Sequence, residues 1–403
     1  MRIFCAVRHS KDPSQFYGAL WSANFYPALH QLGHEIVEPD VDFLPASRFM
    51  HIAHDFTREE LAARAEITQR IIDEVRVAHS ERHIDLFLSY FYNSHFDPSG
   101  FDELRRLGIP TINFFCNSIY QFELVRDIAA AADFSWHAEK NARERYLDAG
   151  AKPVWVQMGA DPEVYRPVET GRREQLACFV GQHYADRDRW AAALIRAQVP
   201  LALYGPGWDA LNHSAAAKES QPEAYLGRMT HPAGTTGAYV EAVIQNWRDS
   251  GFIAGTLRTW RQMSYRHESR RLLRLLAPHA RGLAPRVSDV FSHSEVVLNF
   301  SNVWEDGRPG SRLIPHVRLR DFEAPMCKSC YLTGCTDEIG EFYEIGKEIE
   351  TYRTEEELID KSRFYLTHPD AAEKFREAGY KRATLNHTWK QRFEELFRKV
   401  GVN

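Results

Sequence analysis

The sequence predicts an α/β protein of two domains, each a parallel sheet flanked by helices, and three observations carry that prediction. Its 403 residues, 44% hydrophobic and 12% aromatic, exceed what a single core usually holds. Short apolar runs alternate with amphipathic stretches along most of the chain, the pattern of strand–helix–strand units. The segment from Gly159 to Gln175, rich in charge and holding two prolines and two glycines, interrupts that rhythm and reads as a linker.

In the first domain, residues 1–168, Arg2 to Val7 reads as a strand. Phe25 to Asp40 reads as a helix, a stop at Gly33 and a second strand, and Arg58 to Arg82 as a long helix. Ile84 to Tyr92 is a strand, Ser99 to Cys116 a helix ending near Gly108 followed by a strand, and Ala132 to Gly159 repeats the theme. In the second domain, residues 169–380, a strand turns at Gly181 into a helix, and Val199 to Trp208 is a strand ending in Gly-Pro-Gly. Residues 209–285 loosen into an aromatic, Arg-rich helical insertion, and regular structure resumes at Ser288. Residues 381–403 place Trp389, Phe393, Leu396, Phe397 and Val400 at helical spacing, so this helix must bury a face, here against the first domain.

A net charge of −5 argues against general nucleic-acid binding. The N-terminus lacks the apolar core of a secretory signal, no stretch is long enough to span a bilayer, and a cytoplasmic location fits. Cys327, Cys330 and Cys335 have no second Cys or His pair to complete a zinc site, and read as small buried hydrophobes.

Several motifs together resemble the CgeB-like (spore-maturation type) branch of bacterial glycosyltransferases: "HVRLRDFEAP" running into "YLTGCTDEIGEFYEIG", "FVGQHYADR", "LYGPGW", "EVVLNFS", "LRRLGIPTINFF" and "GADPEVYRP". The resemblance implies the GT-B architecture, two Rossmann-like domains facing across a cleft. The second would hold a nucleotide-diphosphate sugar and the first a glycan, protein or small-molecule acceptor. It implies no cofactor beyond the donor and no metal. Glu323 matches the position at which such folds hold the sugar nucleotide, and a carboxylate can accept from both ribose hydroxyls. The plainer reading is a surface salt bridge to Arg320.

Other residues gain roles from the same resemblance. The turn at Gly181 and the helix after it, with Arg187, offer a diphosphate cradle. Arg318, Arg320 and Lys328 supply positive charge in an acidic chain, or are solvated. Tyr204, Gly205 and Trp208 place aromatics beside a tight turn, for base stacking or for the core. Asn299 and Ser301 end a strand, facing donor hydroxyls or satisfied internally, and Phe322 lies within the motif itself. The chain departs from its relatives at Cys327, Lys328 and Ser329, where they carry small residues with paired glycine, and at Pro315, where many retaining relatives carry a first glutamate. Candidates for the acceptor's base are His95 and Asp97, which follow a first-domain strand. Two other classes stay open: a nucleotide-sugar epimerase of GT-B fold, and a non-catalytic binding or assembly protein. The insertion reads as an acceptor lip, an oligomer contact or a membrane-surface patch.

Overall fold

The computed structural model describes residues 1–10, 16–169, 171–208, 243–244, 246–248 and 251–402. Residues 209–242 of the predicted insertion therefore lie outside the described residues. The chain forms two compact units: Met1–Met158 with the C-terminal segment from Trp389, and the described residues from Gly159 to Thr388.

The first unit carries a six-stranded sheet of β1 (Arg2–Ala6), β2 (Glu35–Val37), β3 (Leu86–Ser89), β4 (Thr111–Phe115), β5 (Phe134–His137) and β6 (Pro153–Trp155). Its order is β2-β1-β3-β4-β5-β6 and every pairing is parallel. β3 and β4 are buried throughout, as strands covered on both faces must be. The helix Arg58–Glu81 starts at a capping box in which Thr57 and Glu60 exchange side-chain and backbone hydrogen bonds. It buries Ile67, Ile71 and Val75, one residue per turn.

The helix Trp389–Val400 belongs to this unit. It buries Trp389, Phe393, Leu396 and Phe397, while Val400 stays partly exposed. The Trp389 ring meets Phe25 edge-on at 4.9 Å and its Nε1–H donates to Asn24 Oδ1 at 2.8 Å. Each such side chain contributes roughly 1.5–3 kcal/mol by burial, which outweighs the propensity of a short isolated helix.

The second unit holds β7 (Glu174–Val180), β8 (Leu201–Tyr204), β9 (Ser294–Asn299), β12 (Tyr331–Gly334) and β13 (Glu350–Tyr352), ordered β13-β12-β9-β7-β8 and all parallel. A separate antiparallel hairpin joins β10 (Asn302–Trp304) to β11 (Leu313–Pro315). Pro315 is exposed at its end. Phe179, Leu203, Leu298, Phe300 and Leu332 make the sheet's core, and the helices Arg187–Arg196 and Glu355–Thr367 pack on it.

Candidate functional site

The second sheet changes winding direction at β7, because the chain leaves it for β8 on one side and returns to β9 on the other. In open α/β sheets ligands bind beyond the carboxyl ends of the strands at such a point. Here those ends are Val180 and Asn299.

The helix Arg320–Met326 brings charge to this place. Asp321, in its first turn, is buried and accepts from the Arg318 backbone N–H at 2.6 Å, from Tyr331 Oη–H at 2.8 Å and from Thr333 Oγ1–H at 2.8 Å. Tyr331 and Thr333 are two apart on β12 and so share a face, which pins the helix to the sheet. Burial raises the Asp321 pKa above its ordinary value, against the pull of the hydrogen bonds from Arg318, Thr333 and Tyr331.

Glu323, also in that first turn, is fully buried. One carboxylate oxygen accepts from Arg320 Nη1, and the other, Oε1, has no hydrogen-bond partner. Arg320 reaches the end of β7, its Nε–H donating to the Val180 carbonyl at 3.4 Å, and its guanidinium also contacts the Tyr165 hydroxyl. The pairing with Arg320 foreseen from sequence is therefore present, but on a buried carboxylate, where an undonated oxygen costs about 1–3 kcal/mol. Arg318 Nε is likewise buried without a partner.

The loop after β7 is locked to the loop after β8. Gly205 has φ +123°, and a Cβ there would lie 2.4 Å from the Gly181 carbonyl oxygen, so only glycine permits this approach. Trp208 Nε1–H donates to the same carbonyl at 2.7 Å. Tyr204 is half-buried at the end of β8, where its carbonyl accepts from Gly181 N–H at 2.8 Å.

For Trp208, Asn299 and Ser301 the structure takes the plainer of the two readings the sequence allowed. Trp208 is buried edge-on against Phe179, with no ring face left for a base. Phe322 is a core residue packed on Phe342 and His387. Asn299 and Ser301 are satisfied internally: Asn299 Nδ2 donates to Thr333 Oγ1 at 3.1 Å and Ser301 Oγ lies 3.1 Å from the same hydroxyl. Arg187 folds back on its own loop, donating to the Gln182 carbonyl at 2.9 Å with its guanidinium over Phe179. These contacts hold the side chain on its own turn. The helix it begins is flanked by Asp186 and the buried Asp188, carboxylates unsuited to a phosphate neighbour. These two form an Asp-x-Asp triplet, as do Asp40 and Asp42. Asp186 Oδ2 is taken up by Trp190 Nε1–H at 2.9 Å and Asn302 Nδ2–H at 2.7 Å. Among the described residues no three His, Cys, Asp or Glu side chains converge on a metal position.

Lys328 lies at the far end of the helix from Arg320 and pairs with Glu373 at 3.1 Å and Glu377 at 2.9 Å. That corrects its reading as a phosphate contact. Its φ of +55° is left-handed, the conformation that suits glycine. Lys328→Gly relieves that backbone while losing exposed ion pairs, so we expect thermal unfolding to shift stability by no more than about 1 kcal/mol and nucleotide titration to find unchanged affinity.

In the first unit, the two candidate bases are engaged elsewhere. His95 is buried: its Nδ1 accepts from Tyr92 N–H at 3.2 Å, and its Nε2 lies 2.9 Å from Ser47 Oγ, whose own proton goes to the Phe43 carbonyl. This chain assigns a neutral, Nε2-protonated ring, and burial holds its pKa well below the ordinary value. Asp97 accepts from Arg64 Nη2–H at 2.9 Å and from Ser99 Oγ–H at 2.7 Å. Burial raises its pKa, but the Ser99 hydrogen bonds and Arg64 outweigh that and leave it lowered. Neither residue is free to take a proton.

Sequence reasoning passed over Asp321, which looked like one more charge in "RLRDFE", and His9. The latter follows β1, where the first sheet changes direction between β1 and β3. Its Nε2 lies 2.6 Å from the Tyr90 carbonyl and its ring 4.2 Å from that of His95. Its place just beyond a strand's carboxyl end was the available signal.

This fold is the GT-B fold, two α/β units each with a parallel sheet. HepE of Anabaena, solved with UDP and glucose, is 10% identical and superposes with a TM-score of 0.53 over 99% of this chain and 99% of that one. Sucrose-phosphate synthase of Thermosynechococcus elongatus is 12% identical, with a TM-score of 0.53 over 99% and 98% of the two chains. AviGT4, a glycosyltransferase involved in avilamycin A biosynthesis, is 14% identical, with a TM-score of 0.53 over 99% and 97%. At such identities the likeness is one of fold. Residues 253–398, which include Asn299, Arg318, Arg320 and Glu323, match the family described as glycosyl transferase-like. No curated protein matches the chain in sequence. Among the described residues no helix is long and apolar enough to cross a membrane.

Proposed function

We propose that the protein is a cytoplasmic glycosyltransferase of the CgeB-like branch that moves a sugar from a nucleotide diphosphate to a glycan, protein or small-molecule acceptor. The observation that carries this reading is the buried Glu323, one oxygen on Arg320 and the other undonated, beside the carboxyl end of β7. A ribose diol supplies the missing donors. Arg318, with its unpartnered Nε–H, and Arg320 meet the diphosphate. When the bond from the anomeric carbon to the leaving oxygen breaks, negative charge grows on the diphosphate, and fixed guanidinium groups stabilise it without reorganising. Neighbours of this fold solved with UDP support the donor class.

A second reading, a nucleotide-binding protein without turnover, is favoured by the engagement of His95 and Asp97 in the first unit. Thermal unfolding with a panel of nucleoside diphosphates tests binding: a ligand at a hundred times its Kd should stabilise the fold by about 2.7 kcal/mol. Donor consumption, with and without acceptor, then separates transfer from binding alone. We expect turnover to continue in the presence of a chelator. Activity abolished by chelation and restored by manganese or magnesium would overturn the metal-free step.

A further inference from the structure

The helix Phe252–Leu276 is apolar on the wrong side for a surface helix. Toward the second unit it buries Gly255, Gln262 and Ser269 beside Leu272, Leu273 and Leu276. Polar bonds hold its N-terminal half: Asn246 Nδ2–H donates to Thr259 Oγ1 at 3.0 Å and to Gln262 Oε1 at 3.2 Å, and Arg258 pairs with Asp306. Tyr265 Oη–H donates to the Ala185 carbonyl at 2.8 Å. Its outward face carries Phe252, 68% exposed, Ile253, 78%, Trp260, 66%, and Met263, 56%. Trp247 extends this patch, its ring 5.1 Å from that of Phe252.

At about 100° per residue these side chains fall on one half of the helix, and the next turns bring Arg270, Arg271 and Arg274 onto the same half. All three arginines are exposed and make no ion pair among the described residues. The one acid of the helix, Glu268, is paired with Arg189 at 2.6 Å. A single straight face thus offers exposed apolar side chains first and a cluster of positive charge after them, on a protein whose net charge is −5.

We propose that this face lies on an anionic lipid surface, with the apolar half in the headgroup boundary and the arginines on acidic headgroups. An isolated apolar patch suits many partners, but a bilayer with anionic lipid satisfies both halves of one straight face. Trp260 and the arginines are side chains that rest at such an interface, an apolar body inward and a polar end outward. A second copy packed helix on helix would instead bring the arginine clusters together in a parallel pair, or set them on apolar side chains in an antiparallel one.

The test is cosedimentation of the full chain with phosphatidylcholine vesicles, with and without about 30% phosphatidylglycerol. We expect binding to the anionic vesicles, lost in high salt because exposed charges are screened. It should fall about tenfold or more in Arg270→Glu/Arg271→Glu and in Ile253→Ser/Trp260→Ser. All four positions are exposed, so unchanged thermal unfolding is the control for an intact fold. Absence of binding to anionic vesicles, or binding that neither double variant weakens, overturns the proposal. So does a dimer in size exclusion that Ile253→Ser/Trp260→Ser dissociates while vesicles fail to bind, which assigns the face to self-association.

Discussion

Glu323→Gln should weaken binding of a nucleoside diphosphate by about 1.5–3 kcal/mol, roughly ten- to a hundredfold in Kd. The substitution preserves shape and leaves a hydrogen-bonding side chain, but replaces a charged acceptor by a neutral amide. Oε1 accepts no hydrogen bond within the protein, so the structural cost of the substitution falls on the pairing of the other oxygen with Arg320, and the melting temperature is the control for it. Bound ribose hydroxyls, by contrast, lose a charge-assisted acceptor. Calorimetric titration with UDP and with other nucleoside diphosphates measures the loss. Unchanged affinity in a variant of unaltered melting temperature would leave Glu323 as a buried structural partner of Arg320. Arg320→Ala should differ in kind, lowering turnover more than ground-state affinity, because leaving-group charge is largest in the transition state.

How far the sequence could be read follows from what kind of signal each part carries. The strands and helices of both sheets are periodic apolar patterns, and these survive into the fold because burial enforces them. "RIFCA", "TINFF" and "SEVVLN" are strands where the pattern places them. The C-terminal face of Trp389, Phe393, Leu396 and Phe397 was legible for the same reason. Glu323 stood out only through its motif, since nothing in "RLRDFE" distinguishes the buried Asp321 and Glu323 from solvated charges.

Roles at strand ends were the least legible, because a polar residue there is equally suited to a ligand or to a neighbour. His95, Asp97, Asn299 and Arg187 all stand where ligands bind in α/β proteins, and all are spent on internal hydrogen bonds. Their partners, Ser47, Arg64, Thr333 and the Gln182 carbonyl, mostly lie far off in sequence. Trp208 takes the core alternative of its two readings, because Gly205 lets its loop close on Gly181.

His9, His95, His137 and His316 should make the chain acid-labile, with a large loss of stability expected between pH 6.5 and 4. Burial pulls the pKa of His137 down from 6.5 to about 4, and burial likewise takes His9 to about 4. Burial also holds His95 and His316 well below the ordinary value. In this window the unfolded chain binds protons that the folded chain refuses. Stability is therefore whole above pH 6.5 and drains as pH falls toward 4, by about 3 kcal/mol for His137 alone. Asp97, with a lowered pKa, loses its contribution only below the ordinary carboxylate range, outside the window. Asp161 and Asp321, whose pKa values burial raises, act in the opposite sense, since what they contribute when protonated is lost as pH rises through their folded values. With these four histidines, and His34 and His79, whose pKa values burial also lowers, set against two carboxyls, the net slope should follow the histidines. Urea unfolding at pH 7.5, 6.0, 5.0 and 4.5 measures it. His137→Gln, which keeps a polar group near the Glu139 carbonyl but cannot titrate, should flatten the curve by about one proton even if its stability at pH 7.5 is lower. A wild-type curve flat from pH 6.5 to 4.5 would mean that these rings accept protons in the folded state, and would return His95 to the candidates for the acceptor's base.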